Sequence, residues 1–393
     1  MRSLIALLCF TIFSNTFSIG AFPAVLPDMA RGAGLADWQL GVVAGAFGFA
    51  RMLADVPVGL FLTHHLRRAV LLGPLGLAAG VLLLTTGGPF PVLVAGRVLM
   101  GVGHALGMVA GLTAILRFQT GMALASALNA YELSAMLGML GGTVVMSALP
   151  AGLRWNLAYL ATCAAQLLGV LVVPLLLAAL PRGEADAPGP LFARGVTTGA
   201  QAAAAPVTPL LVLAVAAGAT VALAYSTIEQ FMIPVRASRE FDLPRAGVAR
   251  LLMVMQLFDI VALVPVGLLA DRRGARPVLG AILLLLAAGH VLVSFGTLPA
   301  VVAGCALFGL GMAGWMLPLS VLRRETPPER VAWRTALYRV SVDGGMFLGP
   351  FLAGLLGARH AGVLAGAAAA ALAVTGALLL ARAGSSGTMA RHG

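Results

Sequence analysis

The chain has no lysine, three cysteines and few charges of either sign: Asp, Glu, Lys and Arg make up 10% of its 393 residues. A soluble domain carries about 25% charged residues. So sparse a polar set cannot coat a water-soluble particle when 60% of the residues are hydrophobic. An ordinary cytosolic enzyme and a disordered chain are thereby excluded. Cys9, Cys163 and Cys305 each lie inside an apolar run, without Cys-x-x-Cys spacing. A secreted disulfide scaffold is excluded, and neither a disulfide nor a metal site is expected. Also missing are a Gly-x-Ser-x-Gly elbow, a His-Glu-x-x-His helix and a phosphate-binding loop. The chain is therefore read as no enzyme, with no cofactor, and as drawing on an ion gradient rather than ATP. What remains, at a mean hydropathy of +0.99, is an integral membrane protein.

Apolar runs of roughly 20 residues or more, enough to cross a hydrocarbon core of about 30 Å, fall at 3–29, 38–62, 69–88, 90–116, 123–149, 154–180, 207–234, 246–270, 277–296, 299–322, 331–356 and 361–381. The pattern predicts an all-α membrane protein with twelve transmembrane helices. The formal charge of +11 rests entirely on arginine. These arginines cluster in short gaps between apolar runs, as in cytoplasmic loops, so no nucleic-acid partner is expected. With the N-terminus inside, the inner loops and tails hold Arg2, Arg67, Arg68, Arg117, Arg182, Arg194, Arg272, Arg273, Arg276, Arg323, Arg324, Arg330, Arg334, Arg382 and Arg391. The outer loops hold only Arg31, Arg154, Arg236, Arg239, Arg245 and Arg359. The bias predicts N-in and C-in. Abundant alanine without lysine suits a GC-rich bacterial genome, hence a multi-pass protein of the bacterial inner membrane.

The stretch 182–206 reads as a cytoplasmic linker, rich in small residues with Glu184 and Asp186. It separates an N-terminal six-helix bundle (1–181) from a C-terminal one (207–382), followed by a short cytoplasmic tail (383–393). The halves repeat. At a shift of 208, Val56-Pro57-Val58-Gly59-Leu60 recurs as Val264-Pro265-Val266-Gly267-Leu268, and Gly101, Gly103 and Met108 recur as Gly309, Gly311 and Met316. At a shift of 207, Tyr131, Ser134, Gly138 and Gly142 recur as Tyr338, Ser341, Gly345 and Gly349. A register held in the same helix order argues for two pseudo-symmetric bundles related by an axis along the membrane normal.

The segment 267–276, Gly-Leu-Leu-Ala-Asp-Arg-Arg-Gly-Ala-Arg, resembles the loop 8–9 signature of the major facilitator superfamily, Gly-x-x-x-Asp-Arg-x-Gly-Arg-Arg. Arg97-x-x-x-Gly101-x-Gly103 resembles that family's helix 4 motif, and Gly345-x-x-x-Gly349-Pro350-x-x-x-Gly354 its Gly-Pro motif. The segment Arg51-x-x-x-Asp55-x-Pro57-x-Gly59 resembles drug exporters. Helix 5 offers only Gly138-x-x-x-Gly142 before Thr143, without proline, and the first-half loop copy carries Thr63 where the family has Asp. The resemblance implies a secondary transporter in which the bundles rock about a central site. Gly267, Asp271, Arg272, Gly274 and Arg276 would then form a gating cluster. Efflux by proton-coupled antiport is the first expectation. Uptake of an organic anion by symport or uniport is the alternative, and a non-transporting membrane sensor an alternative of another class. Expected partners are a small-molecule substrate, protons and the lipid bilayer, with a monomeric chain.

An ionisable side chain at mid-bilayer costs roughly 2.5–3.5 kcal/mol on insertion scales, so it faces a cavity or a partner. Arg51 precedes Asp55 by four residues, as Arg339 precedes Asp343, which places each pair on one helix face. On these spans Arg51 and Asp343 fall near the bilayer centre, with Asp55 and Arg339 about 6 Å nearer the cytoplasm. The family's helix arrangement implies an inter-bundle lock of these four. Two separate within-helix pairs are the alternative. Glu132 and Asp259 lie in spans 5 and 8 with no basic residue three or four positions away. A carboxyl neutral when enclosed and ionised when wet carries a proton, which makes them candidates for coupling. Protonated packing residues are the bland reading. Arg97, Glu229, His104, Tyr131, Tyr225 and Trp315 are candidates for the substrate cavity, against ordinary core packing. Gly103, Gly107 and Gly111 are spaced for close helix approach.

Reversing one charge, Arg51→Asp or Asp343→Arg, is expected to abolish substrate flux into proteoliposomes, and the double exchange to restore it. A double variant no better than the singles would leave two unrelated pairs.

Overall fold

A computed structural model describes residues 2–62, 64–119, 123–181, 207–327 and 330–389. Among these no strand occurs. Hydrocarbon offers no hydrogen-bond partner, and a helix satisfies its backbone groups within itself. The elements are α1 (Arg2–Ala33), α2 (Asp37–Leu62), α3 (Leu66–Thr85), α4 (Phe90–Phe118), α5 (Ala123–Ala148), α6 (Trp155–Thr162) and α7 (Ala164–Ala179). Then come α8 (Pro209–Thr227), a π turn (Ile228–Met232), α9 (Ile233–Arg239), α10 (Arg245–Arg273), α11 (Ala275–Phe295), α12 (Leu298–Met312), α13 (Leu317–Arg324) and α14 (Val331–Met389).

Ten helical segments among the described residues are long and apolar enough to cross a membrane. The twelve expected spans map onto the helices as follows. The fifth is α5, 26 residues long but outside that set of ten. The eleventh and twelfth are both carried by α14, which breaks at Gly357 (φ 73°), a left-handed conformation suited to glycine. The linker 182–206 lies outside the described residues. The expected tail is helical as far as Met389, and 390–393 lie outside the described residues.

Three spans expected to be continuous are interrupted. The sixth breaks at Cys163 between α6 and α7. The seventh holds the π turn, where the Ile233 N–H reaches back to the Ile228 carbonyl. Pro234 supplies the reason: it has no N–H for the Gln230 carbonyl, so the ladder widens by one residue. The tenth breaks between α12 and α13, where Trp315 N–H donates to the Met312 carbonyl (2.8 Å) and Leu317 N–H to the Gly314 carbonyl (2.9 Å). Pro318 again lacks the N–H that would continue the helix.

The chain forms two compact units. Among the described residues, the first holds everything up to 181 together with Pro234–Met253. The second holds 207–233 and 254–389. The segment 234–253, which an even six-and-six division puts in the C-terminal bundle, thus packs as part of the first unit.

In the first unit α3 lies against α4, α1 against α5 and α7, and α2 against α4. Its core gathers Leu4, Leu8 and Ile12 with Val58, Ala110, Tyr131 and Leu176. The α3–α4 contact is backbone to backbone: a Cβ on Gly73 would stand 2.6 Å from the Gly107 nitrogen. In the second unit α14 packs on α8 and α11, and α11 on α12.

The internal repeat is visible in contacts. Gly101 abuts the Phe47 carbonyl; Gly309 abuts the Met255 carbonyl, both partners displaced by 208 residues. Thr16 Oγ1 donates to the Ala135 carbonyl (2.9 Å), and Ser226 Oγ to the Gly345 carbonyl (3.1 Å), each across a separation of 119 residues.

Gly73→Ala is expected to cost about 1–3 kcal/mol by overpacking, read as a lower thermal unfolding midpoint. Gly59→Ala, whose Cβ meets nothing within 4 Å, should leave the midpoint unchanged or slightly raised.

Candidate functional site

The candidate residues fall into two sets, one in each unit. In the first, Arg97 on α4 is only 2% exposed. Its guanidinium carbon lies 3.6 Å from the centre of the Phe22 ring on α1 and 4.9 Å from that of Phe47 on α2. Its Nε donates to the Val43 carbonyl (3.4 Å). A desolvated cation–π contact contributes about 2 kcal/mol, so Arg97 ties three helices together. Phe47 also takes the guanidinium of Arg51 at 5.9 Å and the His104 ring at 5.5 Å. Arg97, His104 and Arg51 are thereby gathered around one aromatic ring.

Tyr131 on α5 is buried, its hydroxyl donating to the Gly107 carbonyl (3.4 Å). It lines a chamber of about 10 Å³ with Thr11, Asn15, Pro74 and Gly111, room for one water. Asn15 Oδ1 is buried there without a hydrogen-bond partner. Glu132 and Asp55 are half-buried.

The first unit also contains a polar cluster built from arginines that the charge pattern assigns only to outer loops. Arg245, at the start of α10, has a side chain 2% exposed and pairs with Asp28 at 2.9 Å. The same guanidinium donates to the carbonyls of Pro150 (2.9 Å) and Leu153 (3.1 Å). The other oxygen of Asp28 takes Arg31 at 2.6 Å, and Arg31 donates onward to Ser238 Oγ (3.1 Å). Arg239 pairs with Asp37 in the first turn of α2 at 2.7 Å. These bonds fasten 234–253 to the ends of α1, α2 and α5. The available signal was opposite charges at short spacing in two stretches, 28–37 and 236–245. Their pairing is non-local.

In the second unit, Glu229 is 1% exposed and lies in the π turn, where its Oε2 accepts from Gln230 Nε2 (3.1 Å). Tyr225 is half-buried one turn earlier. Trp315 is half-buried at the interruption between α12 and α13. Non-helical backbone within a membrane span is tolerated where it is enclosed by protein or lines a cavity, and these candidates mark two such places. Asp343 is buried, while Arg339 and Asp259 are half-buried.

The loop motif separates into parts. Gly274 has φ 87°, a conformation that favours glycine. Arg276 Nε donates to the Leu379 carbonyl (3.4 Å). Gly267, Asp271 and Arg272 are exposed. Among the described residues no three His, Cys, Asp or Glu converge as a metal site.

The two ion pairs that hold 234–253 should differ in weight. Arg245→Ala removes a buried, charge-assisted set of bonds and is expected to cost about 2–3 kcal/mol. Arg239→Ala removes a pair whose arginine is 45% exposed and should stay within about 1 kcal/mol. Thermal unfolding of the two purified variants ranks them.

No curated protein matches the sequence. Among solved structures, the fold is similar to that of peptide transporter POT in complex with sulfate, at a TM-score of 0.78 and 15% identity over 97% of this chain and 94% of that one. It is similar to an inward-facing, unoccupied bacterial homolog of the human lysosomal transporter Spinster, at 0.71 and 16% over 97% and 95%. It is also similar to nucleoside transporter NupG, at 0.72 and 12% over 96% and 99%. Identities this low establish fold alone. The sequence itself matches the model of the Major Facilitator Superfamily over residues 8–249 and 210–388. A duplicated helical architecture, candidate spans that carry enclosed charges, and a family match along nearly the whole chain have one explanation: this protein belongs to the Major Facilitator Superfamily of membrane transporters and is not an enzyme.

Proposed function

We propose that the protein moves a small organic molecule across the bacterial inner membrane by alternating access, exchanging it for protons in the direction of efflux. The observation that carries this reading is the occurrence of carboxylates inside the membrane spans of both units. Glu132 lies in the first; Glu229, Asp259 and Asp343 lie in the second, with Glu229 and Asp343 buried. A carboxylate enclosed in apolar surroundings is expensive, so it is read first as a functional group. Alternating access offers such work: the group is enclosed in one state, wetted in the other, and its proton travels with the change.

Glu132 and Asp259 are proposed as the coupling pair. Glu229 joins them because a π turn is a place where a helix can change its winding. Arg51, Asp55, Arg339 and Asp343 are proposed to exchange partners during the cycle. The loop residues Gly267, Asp271, Arg272, Gly274 and Arg276 are proposed to hold one closed state. The similarity of Arg51-x-x-x-Asp55-x-Pro57-x-Gly59 to drug exporters supports the outward direction. Proteins named for peptide and nucleoside transport share the fold about equally well, so the fold leaves the substrate class open.

The test is flux into proteoliposomes under an imposed pH gradient. At least one of Glu132→Gln, Asp259→Asn and Glu229→Gln should lower gradient-driven flux tenfold or more while leaving substrate-for-substrate exchange intact. If all three keep wild-type gradient dependence, proton coupling through these groups is wrong.

A further inference from the structure

The first unit contains a second recess, away from the candidates above. It is a cavity of about 280 Å³ where α1 ends, α2 begins and α9 ends. Its wall is apolar, from Pro27, Ala30, Leu35, Leu40 and Val235; its polar side is Arg31, Ser238 and Arg239. Nothing in the transport reading uses this space.

Its electrostatics are one-sided. The contacts around it tie three guanidinium groups, Arg31, Arg239 and Arg245, to two carboxylates, Asp28 and Asp37. Asp28 is divided between Arg31 and Arg245, one oxygen each. Each guanidinium has five N–H donors. Arg31 donates to Asp28 and Ser238, and Arg239 to Asp37. The side chains of Arg31 and Arg239 are 65% and 45% exposed, so solutes reach both. An anion between them would add charge-assisted bonds without displacing the existing ones.

Size and wall define the remainder of the ligand. A dry apolar cavity of about 150 Å³ accepts a benzene, so this one holds a ring of that size plus a carboxylate. We propose that the recess binds a small amphipathic monocarboxylate, its head between Arg31 and Arg239 and its apolar body against Leu35, Leu40 and Val235. Because the wall joins α1 and α2 to residues 235–239, the bound acid stabilises the packing of 234–253 in the first unit. The site is independent of the proton-coupling reading, and its test reads binding rather than flux.

The experiment uses the full chain in phosphatidylcholine nanodiscs, titrated with benzoate and, separately, with benzamide. Benzoate should raise the unfolding midpoint by about 2 °C at ten times its dissociation constant, and further with the logarithm of its concentration, and benzamide should not. Arg31→Gln and Arg239→Gln should each weaken benzoate about tenfold. Leu40→Trp, which fills the space but keeps both arginines, should abolish the effect. Val235→Phe serves the same purpose if Leu40→Trp does not purify as a folded monodisperse protein. Equal shifts with benzoate and benzamide, a shift that survives the filled cavity, or no concentration-dependent shift at all would overturn the proposal. So would stabilisation by phosphatidylglycerol nanodiscs alone with none from benzoate, which would assign the arginines to lipid headgroups.

Discussion

Hydrocarbon cannot hydrogen-bond, and everything else in this structure answers to that fact. A backbone that finds no partner in its surroundings must find one in itself, so the described residues are helical and turn, with no strand. The same rule governs the few polar side chains the spans carry. Thr16 and Ser226 donate to carbonyls of neighbouring helices, Arg97 lies against the rings of two phenylalanines, and Glu229 meets Gln230 in the π turn. Without a hydrophobic drive between helices in lipid, cohesion comes from close approach instead. That is the contribution of glycines such as Gly73 against Gly107 and Gly101 against Phe47.

At two of the helix interruptions a proline follows closely in the chain. Pro234 follows the π turn and Pro318 follows the break at Trp315. In each case a missing N–H releases a carbonyl four residues earlier. Just beyond the π turn, at Pro234, the chain leaves the second compact unit for the first, and it returns at Val254. Arg245 anchors that excursion with an ion pair to Asp28 and two carbonyl contacts. A buried guanidinium with this many partners is costly to remove, because its partners would be left buried and unpaired, whereas the exposed Arg239–Asp37 pair is a minor contributor.

Much of the architecture was legible beforehand. Apolar runs of membrane-crossing length mark the helices because the bilayer sets a minimum length. The repeat was legible because duplicated contacts need duplicated residues: the pairing of Gly101 with Phe47 returns as Gly309 with Met255. Individual roles were less legible. Arg97 was expected at a cavity; the structure stacks it on Phe22 and Phe47, residues whose proximity no spacing announces. The interruptions in the sixth, seventh and tenth spans fell inside runs that read as unbroken, since hydropathy is blind to backbone geometry.

Composition, the lengths of the apolar runs and their internal repeat settled membrane class, helical content and two-fold duplication from the sequence by itself, because each is a sum over many residues of a transfer or hydrogen-bonding cost. The tertiary structure alone decided that 234–253 joins the first unit, that Arg245 and Asp28 meet, and that Arg31 and Arg239 border one recess. Those outcomes hang on single contacts between residues some 200 positions apart, and a contact of that kind leaves no periodic trace in the chain.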